Sequence, residues 1–178
     1  FVGPAADKDV PLPDNVRRYY IGSTQHGGGP GGFSTTAAAP PACPSNGYGK
    51  GLLAANPMPQ RETVNALRVH LRDWVMKGTT PPASVYPTLA AGTLVDPTKK
   101  AMGFPDVPGL PKQAPTGFMN VNLDYDYGPD FNYADGSGVI TKLPPVIKHV
   151  MPMKAPKVDA DGNEMGGVPV VLREAPLG

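Results

Sequence analysis

The 178-residue chain carries 22 glycines and 24 prolines, about a quarter of its length, and only 17% charged residues at a net charge of +1. That near-neutral balance, with no basic stripe interleaved with aromatics, argues against nucleic acid as a partner. No apolar run approaches the ~20 residues of a membrane span. Glycine and proline stand at the edge of what a self-sufficient globular domain carries, yet the low charge is not that of a solvated disordered tail. Irregular backbone of this kind is expected to lie along a larger body that satisfies its N–H and C=O groups. The start at Phe1-Val2-Gly3-Pro4, with neither initiator Met nor leader, reads as that of a partial chain.

Residues 1–16 are polar and proline-punctuated, with Asp14 and Asn15 set to close a turn before a strand over residues 17–22. Arg17, Arg18, Tyr19, Tyr20 and Ile21 supply the aromatic and β-branched character of that strand. Gly22, Ser23, Thr24 and Gln25 break it, and His26 follows, ahead of Gly27, Gly28 and Gly29. A histidine on a loop at a strand end is held by the sheet while its ring stays free to take a proton. His26 is therefore the candidate general base. Gln25 and Ser23 are candidates for the wall of a substrate site.

Residues 27–55 form a long loop of glycine, small residues and proline, expected to wall the entrance of a site. The single cysteine, Cys43, sits between prolines without an activating helix N-terminus and reads as a structural thiol or one that pairs outside this chain. The spacing predicts a helix over residues 57–77. Asn56 is its N-cap, and Pro57 and Pro59 occupy its first turn. Val64, Leu67, Leu71, Trp74 and Val75 make one apolar stripe, and Gly78 makes the stop. Val69 and Met76 lie off the stripe, so a second surface is expected to cover this helix. His70, on the stripe's flank and without metal-ligand spacing, reads as a packing residue.

Residues 79–178 hold no second helix of that quality. Short apolar pieces at residues 93–95, 146–147 and 168–172 lie between prolines and predict brief strands and extended covering segments. Residues 158–168, around Asp161, Gly162 and Asn163, predict a hairpin. The alternation of Asp159, Asp161 and Asn163 resembles a calcium loop, but its glycine comes early and Val170 stands where the twelfth-position glutamate belongs, so a plain turn is preferred. Asp124, Asp126 and Asp130 with Tyr125 and Tyr127 read as a solvated loop with tyrosines packed on a neighbour rather than as a carbohydrate-facing carboxylate pair. No metal and no cofactor is expected.

A hydrolytic histidine needs a nucleophile and an orienting carboxylate. None of Ser23, Ser34, Ser45, Ser84 and Ser137 lies in G-x-S-x-G; Ser137, in DGSGV, comes nearest. The segments YYIGSTQHG, LRDWVMKGTTPPASVYP, AAGTLVD, FPDVPG and VDADGNEMGGV, in this order, resemble the C-terminal third of large bacterial "alpha/beta hydrolase domain" proteins, from about Asn15 onward. The resemblance implies an α/β fold of which residues 1–78 are the C-terminal segment: last sheet strand, histidine loop and one long helix. Residues 79–178 would be a proline-rich covering extension, and the chain an incomplete domain by itself, cut at both ends. It aligns His26 with the histidine of a Ser–acid–His triad, which comes last in chain order in such folds. The serine nucleophile and the acid then belong to an upstream part, in the same or a separate chain. It further implies a small ester substrate and an exported, secreted or periplasmic protein. The competing expectation is a non-catalytic structural or binding subunit wrapped around a larger partner.

Overall fold

The computed structural model describes residues 1–29, 31, 56–110, 112 and 121–175. Most of the loop expected over residues 27–55, with Cys43, Ser34 and Ser45, lies outside them. The chain divides into two units interleaved along the sequence: Phe1–Pro11, Pro87–Pro105 and Lys112–Gly162 in one, Leu12–Tyr86, Asp106–Pro111 and Asn163–Gly178 in the other. The backbone lying against residues 17–22 comes from Val85 and Val168, which are distant in sequence.

In the second unit residues 17–22 run extended, but their pairing is limited to two parallel single-residue bridges, Tyr19 with Val85 and Ile21 with Val168. Tyr20 N–H donates to Val85 O at 2.9 Å and Val85 N–H to Arg18 O at 2.9 Å. Val168 N–H donates to Tyr20 O at 2.7 Å and Gly22 N–H to Val168 O at 3.3 Å. All these bonds use Arg18, Tyr20 and Gly22. Successive residues of a strand turn their backbone groups to opposite sides, so Val85 and Val168 share one edge. Among the described residues no strand lies along the other edge, that of Tyr19 and Ile21.

Helix α1, Arg61–Lys77, starts four residues later than the spacing predicts, with Gln60 and not Asn56 at its N-cap and no side-chain cap. The reason is competition for Asn56 and its neighbours. Asn56 Oδ1 accepts from Met58 N–H at 3.0 Å, an Asx turn, and its Nδ2 donates to Ser23 O at 2.8 Å. The carbonyls of Pro57 and Met58 accept from Gly31 and Gly29 N–H at 2.8 and 2.7 Å. The C-terminus ends as the sequence predicts, on left-handed Gly78 (φ 70°), whose N–H reaches the Asp73 and Trp74 carbonyls. The apolar stripe is only half covered: no residue of α1 is buried, and Leu71 and Val75 are 56% and 74% exposed. Off the stripe, Val69 and Met76 are exposed too. Leu67, Leu71, Trp74, Val16, Tyr19 and Pro81 line an open groove of about 360 Å³ that His70 also borders. The Arg17 guanidinium lies 5.2 Å from the Trp74 ring centre. Residues 168–172, expected extended, give the bridge at Val168 and then a helical turn, α3, Val171–Glu174.

In the first unit β1, Leu94–Val95, pairs antiparallel with β4, Ala155–Pro156. Between these two, α2, Lys99–Met102, is capped by Thr98 Oγ1 accepting from Ala101 N–H. A second antiparallel pair joins β2, Asn122–Asp126, to β3, Val146–Met151, with a bulge between Asp124 and Tyr125. The first strand of this pair replaces the solvated loop expected there. Leu123 and Tyr125 alternate with Asp124 and Asp126, and Lys148 and Lys142 supply cationic partners for the two acids. Tyr127 packs on Phe131, centroids 4.6 Å apart. The bend at Asp159–Gly162 forms, closed by Gly162 N–H to Asp159 O at 3.1 Å. Val158 N–H donates to Met102 O at 2.9 Å. Ala6, Leu94, Ala155 and Val158 form this unit's buried apolar set.

Gly29 carries the clearest steric demand: a Cβ there would fall 2.0 Å from the Pro57 carbonyl carbon, whereas at Gly27 it would meet nothing within 4 Å. Gly29→Ala should therefore destabilise the fold by about 1–3 kcal/mol, the usual cost of forcing backbone apart. Gly27→Ala should stay within about 0.5 kcal/mol. Denaturant midpoints measure both; equal midpoints would show that the glycine run is not held against residues 57–58.

Candidate active site

His26 follows directly from the bridged strand. The chain leaves the strand at Gly22 and turns at Ser23, which adopts a left-handed conformation (φ 59°) that costs a non-glycine residue roughly 1–2 kcal/mol. Three hydrogen bonds hold it there. Ser23 N–H donates to Glu164 Oε2 at 2.6 Å, Glu164 N–H donates to Ser23 Oγ at 2.8 Å, and Asn56 Nδ2 donates to Ser23 O at 2.8 Å. Thr24 Oγ1 reaches back to Ile21 O at 3.1 Å, closing the same corner.

The next four residues make a turn with His26 and Gly27 at its centre. Gly28 N–H donates to Gln25 O at 2.9 Å, and the Gln25 side-chain amide donates to Gly28 O, also at 2.9 Å. Gln60, at the start of α1, donates from Nε2 to the His26 carbonyl at 3.0 Å. So the main chain of His26 is fixed from two sides. Its side chain is exposed and its ring has no hydrogen-bond partner among the described residues.

The sequence-derived candidates are thus brought together in one turn, with different parts to play. Gln25 is exposed beside His26, and its amide is used to close the turn. Ser23 is part-buried and its hydroxyl accepts from Glu164. The other described serines are also engaged locally: Ser84 Oγ accepts from Arg18 N–H at 3.0 Å and Ser137 Oγ donates to Asp135 at 2.6 Å. Among the described residues no carboxylate is bonded to the His26 ring, and no three His, Cys, Asp or Glu side chains gather as a metal site.

The family described as "alpha/beta hydrolase domain" matches residues 3–178. The chain belongs to the alpha/beta hydrolase domain family. No curated protein and no solved structure matches it. Helices with short strands and a parallel-bridged strand fit the α/β class of this hydrolase family. No helix among the described residues is long and apolar enough to cross a membrane.

Glu164 is the residue beside the Ser23 corner that the sequence conceals, since 141 positions separate the two and its own segment reads as a bend. Its carboxylate also hydrogen-bonds Tyr20. Burial above all, and then the charge of Glu164 and that hydrogen bond, hold the Tyr20 phenol well above its ordinary range. Asn56 and Gln60 were equally hidden, one behind a capping pattern, the other behind its neutrality.

The phenol of Tyr20 is kept protonated in the native state, so its contribution to stability is complete below the ordinary tyrosine value of about 10 and falls as pH rises beyond it, where the unfolded chain ionises first. Tyr20→Phe should remove this alkaline loss. In Glu164→Gln the ionisation, followed by tyrosinate absorbance, should move down but remain raised, because burial is the larger cause. A wild-type Tyr20 that titrates with the other tyrosines would refute the pairing.

Proposed function

We propose that the chain supplies the general-base histidine, His26, of a serine hydrolase acting on carboxylic esters. The serine nucleophile and the acid come from outside these 178 residues. The observation that carries this reading is the His26 turn: a main chain fixed by Gln25, Gly28 and Gln60, with an exposed ring that no described residue bonds, past the end of a parallel-bridged segment. Membership of a hydrolase family gives that ring a reason to be free.

In this reading His26 accepts the hydroxyl proton of the serine as its oxygen attacks the ester carbonyl, and returns it to the departing alkoxide. Water then repeats the cycle on the acyl-enzyme, with His26 again as base. The carboxylate that orients the ring and stabilises the imidazolium is the acid still to be identified. Gln25, exposed at the turn, faces the substrate site as one of its walls, while Ser23 acts through its bonds to Glu164 and Asn56. The glycines at 27, 28 and 29 keep side-chain bulk away from the approach to His26.

A fluorophosphonate probe, which reports an activated serine, tests this on the protein as isolated. Uptake of the probe is expected, together with a fall in ester hydrolysis on the order of 10³-fold or more in His26→Ala, the size of losing one triad member. Retention of most activity in His26→Ala would overturn the assignment. If no species takes up the probe and no ester is cleaved, the chain is a binding subunit, for which its exposed helix face and open strand edge would serve.

A further inference from the structure

The hydrolase mechanism leaves unused a pocket of about 230 Å³ that adjoins the His26 turn. One side is the backbone of glycines 27, 28 and 29, and the other is Arg61, Val64, Asn65 and Arg68 of α1, with Gln60 at the corner. Arg61, Asn65 and Arg68 stand at positions i, i+4 and i+7, so one helix face presents two guanidiniums and an amide to the same space. No acidic side chain lines it.

The two cations are poorly balanced by the protein. Arg61 has neither hydrogen-bond nor ion-pair partner among the described residues, and Arg68 reaches only Asn65 Oδ1, at a long 3.4 Å. By contrast Arg72, further along the same helix, is bound to Asp73 at 2.9 Å. Arg61 also occupies the first turn, where the positive end of the helix disfavours a cation. Both arrangements cost the free protein something that a bound anion would offset.

Size and lining narrow the anion. At a liquid share of about 30 Å³ per water, the pocket holds the equivalent of roughly seven or eight waters, enough for a carboxylate on a short chain. A planar carboxylate matches the guanidinium fork, and Val64 offers a strip of apolar surface for methylenes. Gln60 connects the two places physically, since it lines the pocket and bonds the His26 carbonyl.

We infer that this pocket holds a carboxylate borne by the substrate, so that the ester cleaved at His26 is the half-ester of a short dicarboxylic acid. The inference rests on the proposed role of His26, and its test separates the two. The protein as isolated is titrated with glutarate, with inorganic phosphate as a second anion, and its kcat/KM is compared on the 4-nitrophenyl esters of glutarate and of the neutral glutaramate. A preference for the anionic ester on the order of tenfold is expected, the size of a charge-assisted hydrogen bond. In the double variant Arg61→Gln, Arg68→Gln the ratio should fall towards unity and glutarate binding should weaken by a similar factor, with Arg72→Gln changing neither. Both arginines that are replaced are exposed, and an unchanged circular dichroism spectrum confirms the fold.

Equal turnover of the two esters, or a preference that survives in the double variant, would overturn the pocket as a substrate site. Phosphate bound through the arginines where glutarate is not would overturn it as a carboxylate site. Glutarate bound through the arginines with no ester cleaved would uphold the anion pocket while removing the hydrolase reading. His26-dependent cleavage without glutarate binding would do the reverse.

Discussion

Two hydrogen bonds between Ser23 and Glu164 tie together backbone 141 residues apart, and the geometry around His26 depends on them. A carboxylate bond to a backbone N–H is charge-assisted and worth about 1.5–3 kcal/mol, more than enough to hold Ser23 in a left-handed conformation. The reciprocal bond fixes orientation as well as distance, as a capping box does at the start of a helix. Closing so long a loop carries an entropic cost that only the surrounding structure offsets. The corner before His26 is therefore a product of the folded unit and not of its local sequence. Tyr20, drawn to the same carboxylate, adds an apolar ring to the clamp.

From that corner outward the unit shows a division of labour. The backbone of the His26 turn is held tightly by Gln25 and Gln60, while the surfaces on either side stay open. One strand edge is filled by Val85 and Val168, and the other, at Tyr19 and Ile21, faces none of the described strands. The groove beneath it is apolar, and Leu71 and Val75 on α1 are largely exposed. A sheet edge and a helix face of this kind are surfaces on which further layers of a fold can be laid. Among the described residues of the unit the covered apolar side chains are few, Val170 foremost, which makes the same point from the inside.

Much of this was legible in the sequence, and the losses have physical causes. The helix end at Gly78 and an extended run before the His26 turn follow from local propensity, although that run is paired in the folded chain only by two single-residue bridges. The start of α1 was missed because Asn56 can cap a helix or close an Asx turn, and the glycine run that decides the matter lies some thirty residues earlier. The strand Asn122–Asp126 was missed because aspartates are rare in strands. The alternation of Leu123 and Tyr125 with Asp124 and Asp126 was visible, but Lys142 and Lys148, which make it tolerable, were not. Glu164 left no trace at all, since no local rule connects a glutamate in a bend to a serine in a turn so far away.

The unfilled edge of the strand has a consequence for handling the protein as well as for its chemistry. An edge that no described strand fills, close to the exposed Leu71 of the groove, is a template for intermolecular pairing, though a short one because the Ile21 carbonyl already accepts from Thr24 Oγ1. Arg17, whose guanidinium lies over Trp74, stands at the entry to that edge, and a charged side chain in such a place acts as a gatekeeper against such pairing.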